Sequence, residues 1–286
     1  MSPISRRFQS DQPWYLWVNL LSLDAPAVAL AWQDMFARSL HVPLGPVPRV
    51  VTAGCVWLAY AGDRLLDGSV ISYDSLVTPR HRFARLYRQP LAVIWGLVLS
   101  IMTYCAFGLL RSELIHSGIV LSVLVVAYFA VVHWPGRRTR LPAFKEGCVA
   151  ALFSVGSVTF VMAKMGHVTL ALVPPVLFWL SLCFLNCAGI GCWEKNRDAV
   201  QRQESLALQT PGFSRHFASV ALWVAAAAVV AGLLPFSEGI RPVYFSVAAS
   251  SLMLAALDRF RSVFEIDALR VGADLALLTP LLLRVL

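Results

Sequence analysis

The sequence predicts an all-α, polytopic membrane bundle of nine helices, forming one domain over residues 1–286. Three observations lead there. Residues of the AVILMFWYC set fill 58% of the 286 positions and charged residues only 14%, whereas a soluble chain carries about 25% charged residues to coat its surface. Apolar runs of membrane-crossing length, about 20 residues each, recur near 14–33, 47–66, 90–110, 114–133, 143–163, 168–192, 217–235, 242–257 and 266–286. Lys and Arg also alternate in density between the two sides of those runs. The composition excludes a disordered chain. Six Cys with no C-x-x-C spacing exclude a disulfide scaffold and argue against a zinc or redox site.

Each run has its own punctuation. The polar stretch MSPISRRFQSDQP precedes the first run and no small-residue cleavage site follows it, so a cleavable signal is not expected. The first run holds Asp24 beside Pro26, an acid that either satisfies backbone freed by the proline or faces a cavity. Pro43, Pro46 and Pro48 precede the second run, which ends in WLAYAGDRLLDG; Pro79 and Pro90 fall in the loop after it. The third and fourth runs are clean, and Pro135 and Pro142 separate the fourth from the fifth. Lys145 opens the fifth beside Glu146, so its ammonium must snorkel to the surface or face a polar cavity. The sixth ends in FLNCAGIGCWEKNRDA, whose small residues suit close helix packing. The seventh is clean and the eighth short. The ninth opens with Asp267 and Arg270 and carries Asp274, four positions after Arg270 and so spaced for an internal ion pair.

With nine crossings, 18 of the 24 Lys and Arg residues fall on the side of the N-terminus. That side is the cytoplasm by the positive-inside rule, which puts the C-terminus outside. The chain is expected in a plasma membrane, or an inner membrane if bacterial. The net charge of +8 is then a signature of topology, and no nucleic-acid partner is expected.

On the cytoplasmic side two helix ends carry acids in matched pairs. Asp63 and Asp67 end the second run, Glu194 and Asp198 the sixth, each pair four apart and therefore on one helical face. Carboxylates so placed repel one another and lose hydration, and need a compensating cation. Mg²⁺ typically takes one or two carboxylates plus the phosphates of a substrate; the plainer alternative is pairing with the adjacent Arg64, Lys195 and Arg197. The same face carries PRHRFARLYR (79–88) and WPGRRTRLPAFKEG (134–147), whose Arg82, Arg138 and Lys145 suit phosphate oxygens. Tyr60, one turn before Asp63, and Asn186, eight positions before Glu194, fall on the cavity-facing sides of their helices. His81 and His133 have no partner at metal-ligand spacing and are expected at the interface.

These residues carry a resemblance to the UbiA superfamily of intramembrane prenyltransferases. Asp63 and Asp67 match the last two acids of that family's first Asp-rich motif, and Glu194 and Asp198 the last two of its second. WPGRRTRLP is similar to its aromatic-Pro, basic, Thr and Pro run between the fourth and fifth helices. Ala59, Tyr60, Cys187 and Ile190 depart from the motifs, which marks a divergent branch. The resemblance implies nine helices around a cavity whose mouth is cytoplasmic. It also implies Mg²⁺ held by Asp63, Asp67, Glu194 and Asp198 as the catalytic set, with Tyr60, Arg64, Arg82, Arg138, Lys145, Asn186 and Lys195 around the substrate. The implied reaction moves a polyprenyl group from its diphosphate to an aromatic or other lipophilic acceptor. The alternatives are a terpene cyclase of the same type with no acceptor, and a non-catalytic lipid-binding membrane protein on the same fold.

Overall fold

A computed structural model describes residues 13–70, 78–133, 143–166, 170–201, 205–210 and 212–283, and they form helices with no strand among them. In chain order these are α1 (Leu16–Leu20), α2 (Asp24–Ser39), α3 (Pro46–Val70), α4 (Pro79–Leu86), α5 (Arg88–Leu109), α6 (Ser112–Val132) and α7 (Phe144–Met165). They continue with α8 (Val173–Gln201), α9 (Leu206–Gln209), α10 (Phe213–Leu233), α11 (Arg241–Arg259), α12 (Ile266–Ala276) and α13 (Thr279–Leu282).

Six of these elements are long and apolar enough to cross a membrane: Arg88–Leu109, Ser112–Val132, Phe144–Met165, Leu170–Val200, Phe213–Leu233 and Ser237–Arg259. They point to an integral membrane protein, and they coincide with the third to eighth runs of the sequence. The other three runs differ for identifiable reasons. The first is broken between α1 and α2, where Ser22 takes a left-handed φ of 58°. Pro26, in the first turn of α2, lacks an N–H, and its ring excludes the carbonyl four residues back. The second is one 25-residue helix, but Arg49, Asp63, Arg64 and Asp67 lower its hydropathy. The ninth breaks after Ala276, where Pro280 imposes on α12 the restriction that Pro26 imposes on α1.

Each break leaves helix-end carbonyls without intrahelical partners, and neighbouring helices supply donors. Two α3 side chains serve the first break: Trp57 Nε1 donates to Leu21 O at 3.0 Å, and Arg64 Nη1 to Asn19 O and, at 3.3 Å, to Leu20 O. They lie seven positions apart, two turns on one face of the helix. The second break is served by Trp32 of α2, whose Nε1 donates to Leu277 O at 2.8 Å. Trp32 also stacks on Trp179 of α8 at 3.9 Å and 16°, while Trp179 Nε1 donates to Ser157 Oγ of α7 at 2.9 Å. Both indoles are fully buried with their polar edges satisfied. They tie α2, α7, α8 and the ninth-run helices into one core.

Helix α8 is central, packing against α7, α9, α10, α11 and α12. Small residues let α10 and α11 meet closely, with Ala221, Ala225, Ala228 and Gly232 buried on one side and Ser246, Ser250 and Ser251 on the other. Helices α5 and α6 pack on α3 and α7 respectively and leave nearly all of their apolar surface outward. Apolar helices adopt that arrangement in lipid.

Candidate functional site

The polar residues that an apolar bundle must accommodate converge at one end of it. Asp63, Arg64 and Asp67 stand near the end of α3, Arg80 and His81 on α4, and Lys145 and Glu146 at the start of α7. Glu194 and Asp198 lie near the end of α8, Arg270 and Asp274 on α12, and all of them line one cavity of about 210 Å³. On α8 the lining runs inward from Asp198 to Cys183, 15 positions or about 22 Å of helix axis. The volume is below the roughly 300–1,000 Å³ of pockets that enclose drug-sized ligands. It accommodates a polar head group of several water volumes, each about 30 Å³. Seven carboxylates and four Lys or Arg side chains line it, so a cation is the ligand it draws first.

At the α3 side, Asp63 and Asp67 meet two histidines. His133, the residue after α6, places Nε2 at 3.6 Å from Asp63 Oδ1 and 3.5 Å from Asp67 Oδ1. His81 Nε2 lies 3.6 Å from Asp67 Oδ2. Burial pushes the His81 imidazole below its ordinary pKa, with the Asp67 carboxylate opposing that shift. Asp63, Asp67 and His133 each offer a donor atom within 4.8 Å of the others, an arrangement that could hold a metal ion. The expectation that the two histidines lack partners is therefore corrected. The two histidines lie 14 and 66 positions from Asp67 in the chain, on α4 and after α6, beyond the reach of any spacing rule.

At the α8 side the geometry is different. Glu194 Oε2 accepts from Arg270 Nη1 at 2.8 Å and from Arg80 Nη2 at 3.2 Å, with the Glu194 side chain 4% exposed. Two distant guanidiniums thus meet Glu194, the acid expected among the metal ligands, and make it a buried hub between α4 and α12. Arg270 does not pair with Asp274 as its spacing suggested. Asp274 instead accepts from Asn186 Nδ2 at 3.3 Å and Asn19 Nδ2 at 3.4 Å, and Asn19 Nδ2 also donates to Asp24 Oδ2 at 2.5 Å. Of the two roles expected of Asp24, the structure shows the second: it lines the cavity, while its Oδ1 accepts from Ala25 N at 2.9 Å, one of the unpartnered donors at the start of α2.

Of the remaining expected residues, Asp198 and Lys145 line the cavity, and neither makes an ion pair among the described residues. Tyr60 lines it edge-to-face with Phe153, ring centroids 6.0 Å apart. Arg64 reaches the lining but is committed to the carbonyls of α1. Arg82 is exposed on α4, and Lys195 is half-buried on α8, outside the lining. Arg197 pairs with Asp267 at 2.5 Å, not with an acid of either pair. Glu146 caps α9, its Oε1 accepting from Leu206 N at 2.7 Å. Arg138 lies outside the described residues. The cavity also recruits Arg80, His81, Arg270 and Asn19, and His133 stands beside its two α3 acids; of these the sequence offered only Arg80 and His81, within segment 79–88, as phosphate ligands. For Arg80 and Arg270 a signal existed, since charges within or beside apolar runs need partners.

No family model, curated protein or solved structure matches the chain. The chemistry of the cavity rests on its own residues.

The fit of a divalent cation and of an anion can be tested on them. Asp63, Asp67 and Asp198 face the cavity with no Lys or Arg in ion-pair contact among the described residues, which suits a cation. Lys145 has no hydrogen-bond partner there, and the Nε groups of Arg80 and Arg270 are buried donors without acceptors, which suits an anion. A diphosphate accompanied by a divalent cation satisfies both sets.

Proposed function

We propose that the protein is a UbiA-like intramembrane prenyltransferase, a divergent member of that type that depends on a divalent cation and transfers a polyprenyl group from its diphosphate to an aromatic or other lipophilic acceptor. The observation that carries this reading is that both acid pairs, from α3 and α8, line one cavity with Lys145, Arg80 and Arg270 between them, at one end of an apolar bundle. In the proposed topology the six apolar helices are joined by α1–α2, α3 and α12–α13 as three further crossings. The N-terminus and the cavity mouth are cytoplasmic, as the bias of 18 against 6 basic residues supports.

Asp63 and Asp67 are the residues to hold the cation, for which the sequence argues Mg²⁺. The cation, when bound, draws charge from the leaving diphosphate. Lys145, Arg80 and Arg270 donate to the diphosphate oxygens, and Glu194 fixes the two guanidiniums at the spacing the leaving group needs. The allylic C–O bond breaks with its electron pair passing to diphosphate, and the positive carbon faces the inner part of the cavity. Val28, Val149, Ala150, Phe153 and Cys183 keep water from that part, and the Tyr60 and Phe153 rings present π-faces to positive charge. Asn19, Asp24, Asn186 and Asp274 form a polar patch further in, suited to orient a hydroxyl-bearing acceptor. One of its carboxylates takes the proton that the acceptor loses as the new bond forms.

Purified protein in lipid nanodiscs, given labelled isoprenoid diphosphates of graded chain length and Mg²⁺ or Mn²⁺, is expected to release diphosphate. Failure to bind or release it at every length sinks the enzyme reading and leaves a lipid-binding membrane protein. A cyclised product formed with no acceptor present replaces the transferase by a terpene cyclase.

A further inference from the structure

We infer that Asp63, Asp67 and His133 form a mixed oxygen and nitrogen metal site that takes a first-row transition ion, Mn²⁺ or one further along that row, ahead of Mg²⁺. The inference rests on the divalent-cation reading above and adds to it a ligand from a separate helix and the identity of the ion. His133 closes α6, whereas the two acids share one face of α3.

Three features of the geometry point to a ligand and not to a counter-ion. Donors bound to one ion at about 2.0–2.2 Å stand roughly 3–4 Å apart, and His133 Nε2 lies 3.6 Å from Asp63 Oδ1 and 3.5 Å from Asp67 Oδ1. An ion therefore enters with little movement of the side chains. The other ring nitrogen, Nδ1, lies 3.3 Å from the carbonyl of Phe129 one turn back. That contact calls for a proton on Nδ1 and aims Nε2 at the acids, where an arriving ion would replace any Nε2 proton; metal-ligating histidines are commonly held in this way by a backbone carbonyl. Finally, Asp67 is itself supported: His81 stands 3.6 Å from its Oδ2, leaving Oδ1 to face His133. The His81 ring is buried.

The donor set decides the ion. Mg²⁺ is bound by oxygen and keeps several waters. An imidazole nitrogen moves preference toward the first-row transition ions, whose affinities rise from Mn²⁺ toward Cu²⁺ and Zn²⁺. Glu194, across the cavity, is instead held by Arg80 and Arg270 through its Oε2. The resulting site is asymmetric, with one ion on the α3 side and a guanidinium clamp on the α8 side.

Mn²⁺ is the probe. Titrating the purified full chain in detergent, with free Mn²⁺ followed by electron paramagnetic resonance, is expected to show one tight site per chain. Spin-echo modulation from a coordinated nitrogen is expected to change frequency when the histidines are ¹⁵N-labelled. A tenfold excess of Mg²⁺ should leave Mn²⁺ bound, and one equivalent of Zn²⁺ should displace it. His133→Ala should abolish the modulation and weaken Mn²⁺ binding at least about tenfold, whereas His81→Ala keeps the modulation. Absence of nitrogen modulation in the wild-type protein, its persistence in His133→Ala, or displacement of Mn²⁺ by equimolar Mg²⁺ overturns the inference. None of these readouts needs a substrate. Nitrogen-bound Mn²⁺ without diphosphate release at any chain length therefore keeps the metal site and sinks the prenyltransferase reading, and diphosphate release with an all-oxygen Mg²⁺ site does the reverse.

Discussion

Replacing Arg270 by Gln strips Glu194 of the closer of its two cations and tests whether that carboxylate is a structural hub. The pair meets at 2.8 Å, with side chains 19% and 4% exposed. Removing one partner of a buried ion pair costs about 3–5 kcal/mol, because the other charge is left buried without compensation. Arg80 remains 3.2 Å from the same oxygen, so the loss belongs at the lower end, about 3 kcal/mol. At roughly 2–4 °C per kcal/mol for a chain of this size, the unfolding midpoint in detergent should fall by about 6–12 °C. Glu194→Gln should cost as much or more, since it leaves two guanidiniums facing each other. The double variant removes one charge of each sign and should be less destabilised than the singles combined, with a coupling of about 2 kcal/mol in a double-mutant cycle. A fall of under about 2 °C for Arg270→Gln, or a cycle additive to within about 0.5 kcal/mol, would show that the Glu194 hub does not hold α4 to α12.

Asp63→Asn and Asp67→Asn should each reduce diphosphate release from a labelled isoprenoid diphosphate by at least about 100-fold, with folding judged by gel filtration; near-wild-type rates would remove both from the reaction. Lys145→Gln should raise KM for the isoprenoid diphosphate about tenfold, the loss of one charge-assisted hydrogen bond of about 1.5–3 kcal/mol. Its unfolding midpoint should move little, because Lys145 makes no ion pair among the described residues. Gly189→Ala drives a Cβ to 2.7 Å from Cζ of the fully buried Phe217 and should destabilise the α8–α10 contact by about 1–3 kcal/mol. Gly54→Ala meets the flexible end of Met102, which can swing aside at a cost of under about 1 kcal/mol. Equal losses of thermal stability in the two Gly variants would refute that reasoning.

The six apolar helices were legible because nothing else explains 20 or so uninterrupted apolar residues. The ends of three other runs were not, although the residues responsible stand in plain sight. Pro26 and Pro280 each sit inside an apolar run, and each begins a new helix after a break. Hydropathy alone bridges such breaks, since it weighs side chains and not backbone geometry. Their tolerance depends on Arg64, Trp57 and Trp32 supplying donors from other helices, which only the packed bundle reveals. The second run illustrates the complementary failure, because the charges that lower its hydropathy are the ones that build the cavity.

For the site, local spacing carried the argument only while both members of a pair lay on one helix. Asp63 with Asp67, and Glu194 with Asp198, were readable from an i, i+4 pattern, and all four reach the cavity. The same rule applied to Arg270 and Asp274 failed, and the direction of helical side chains explains why. Side chains lean toward the N-terminus of their helix, so Arg270 leans away from Asp274, and the base-then-acid order is the weaker of the two arrangements. Arg270 extends instead toward the end of α8 and finds Glu194, while Asp274 takes Asn19 and Asn186. One reoriented arginine thus joins Arg80 at Glu194 and ties α12 to the end of α8. Asp63 and Asp67 stand on the other side of the cavity, beside His133 at the end of α6, in a cluster that could hold a metal ion.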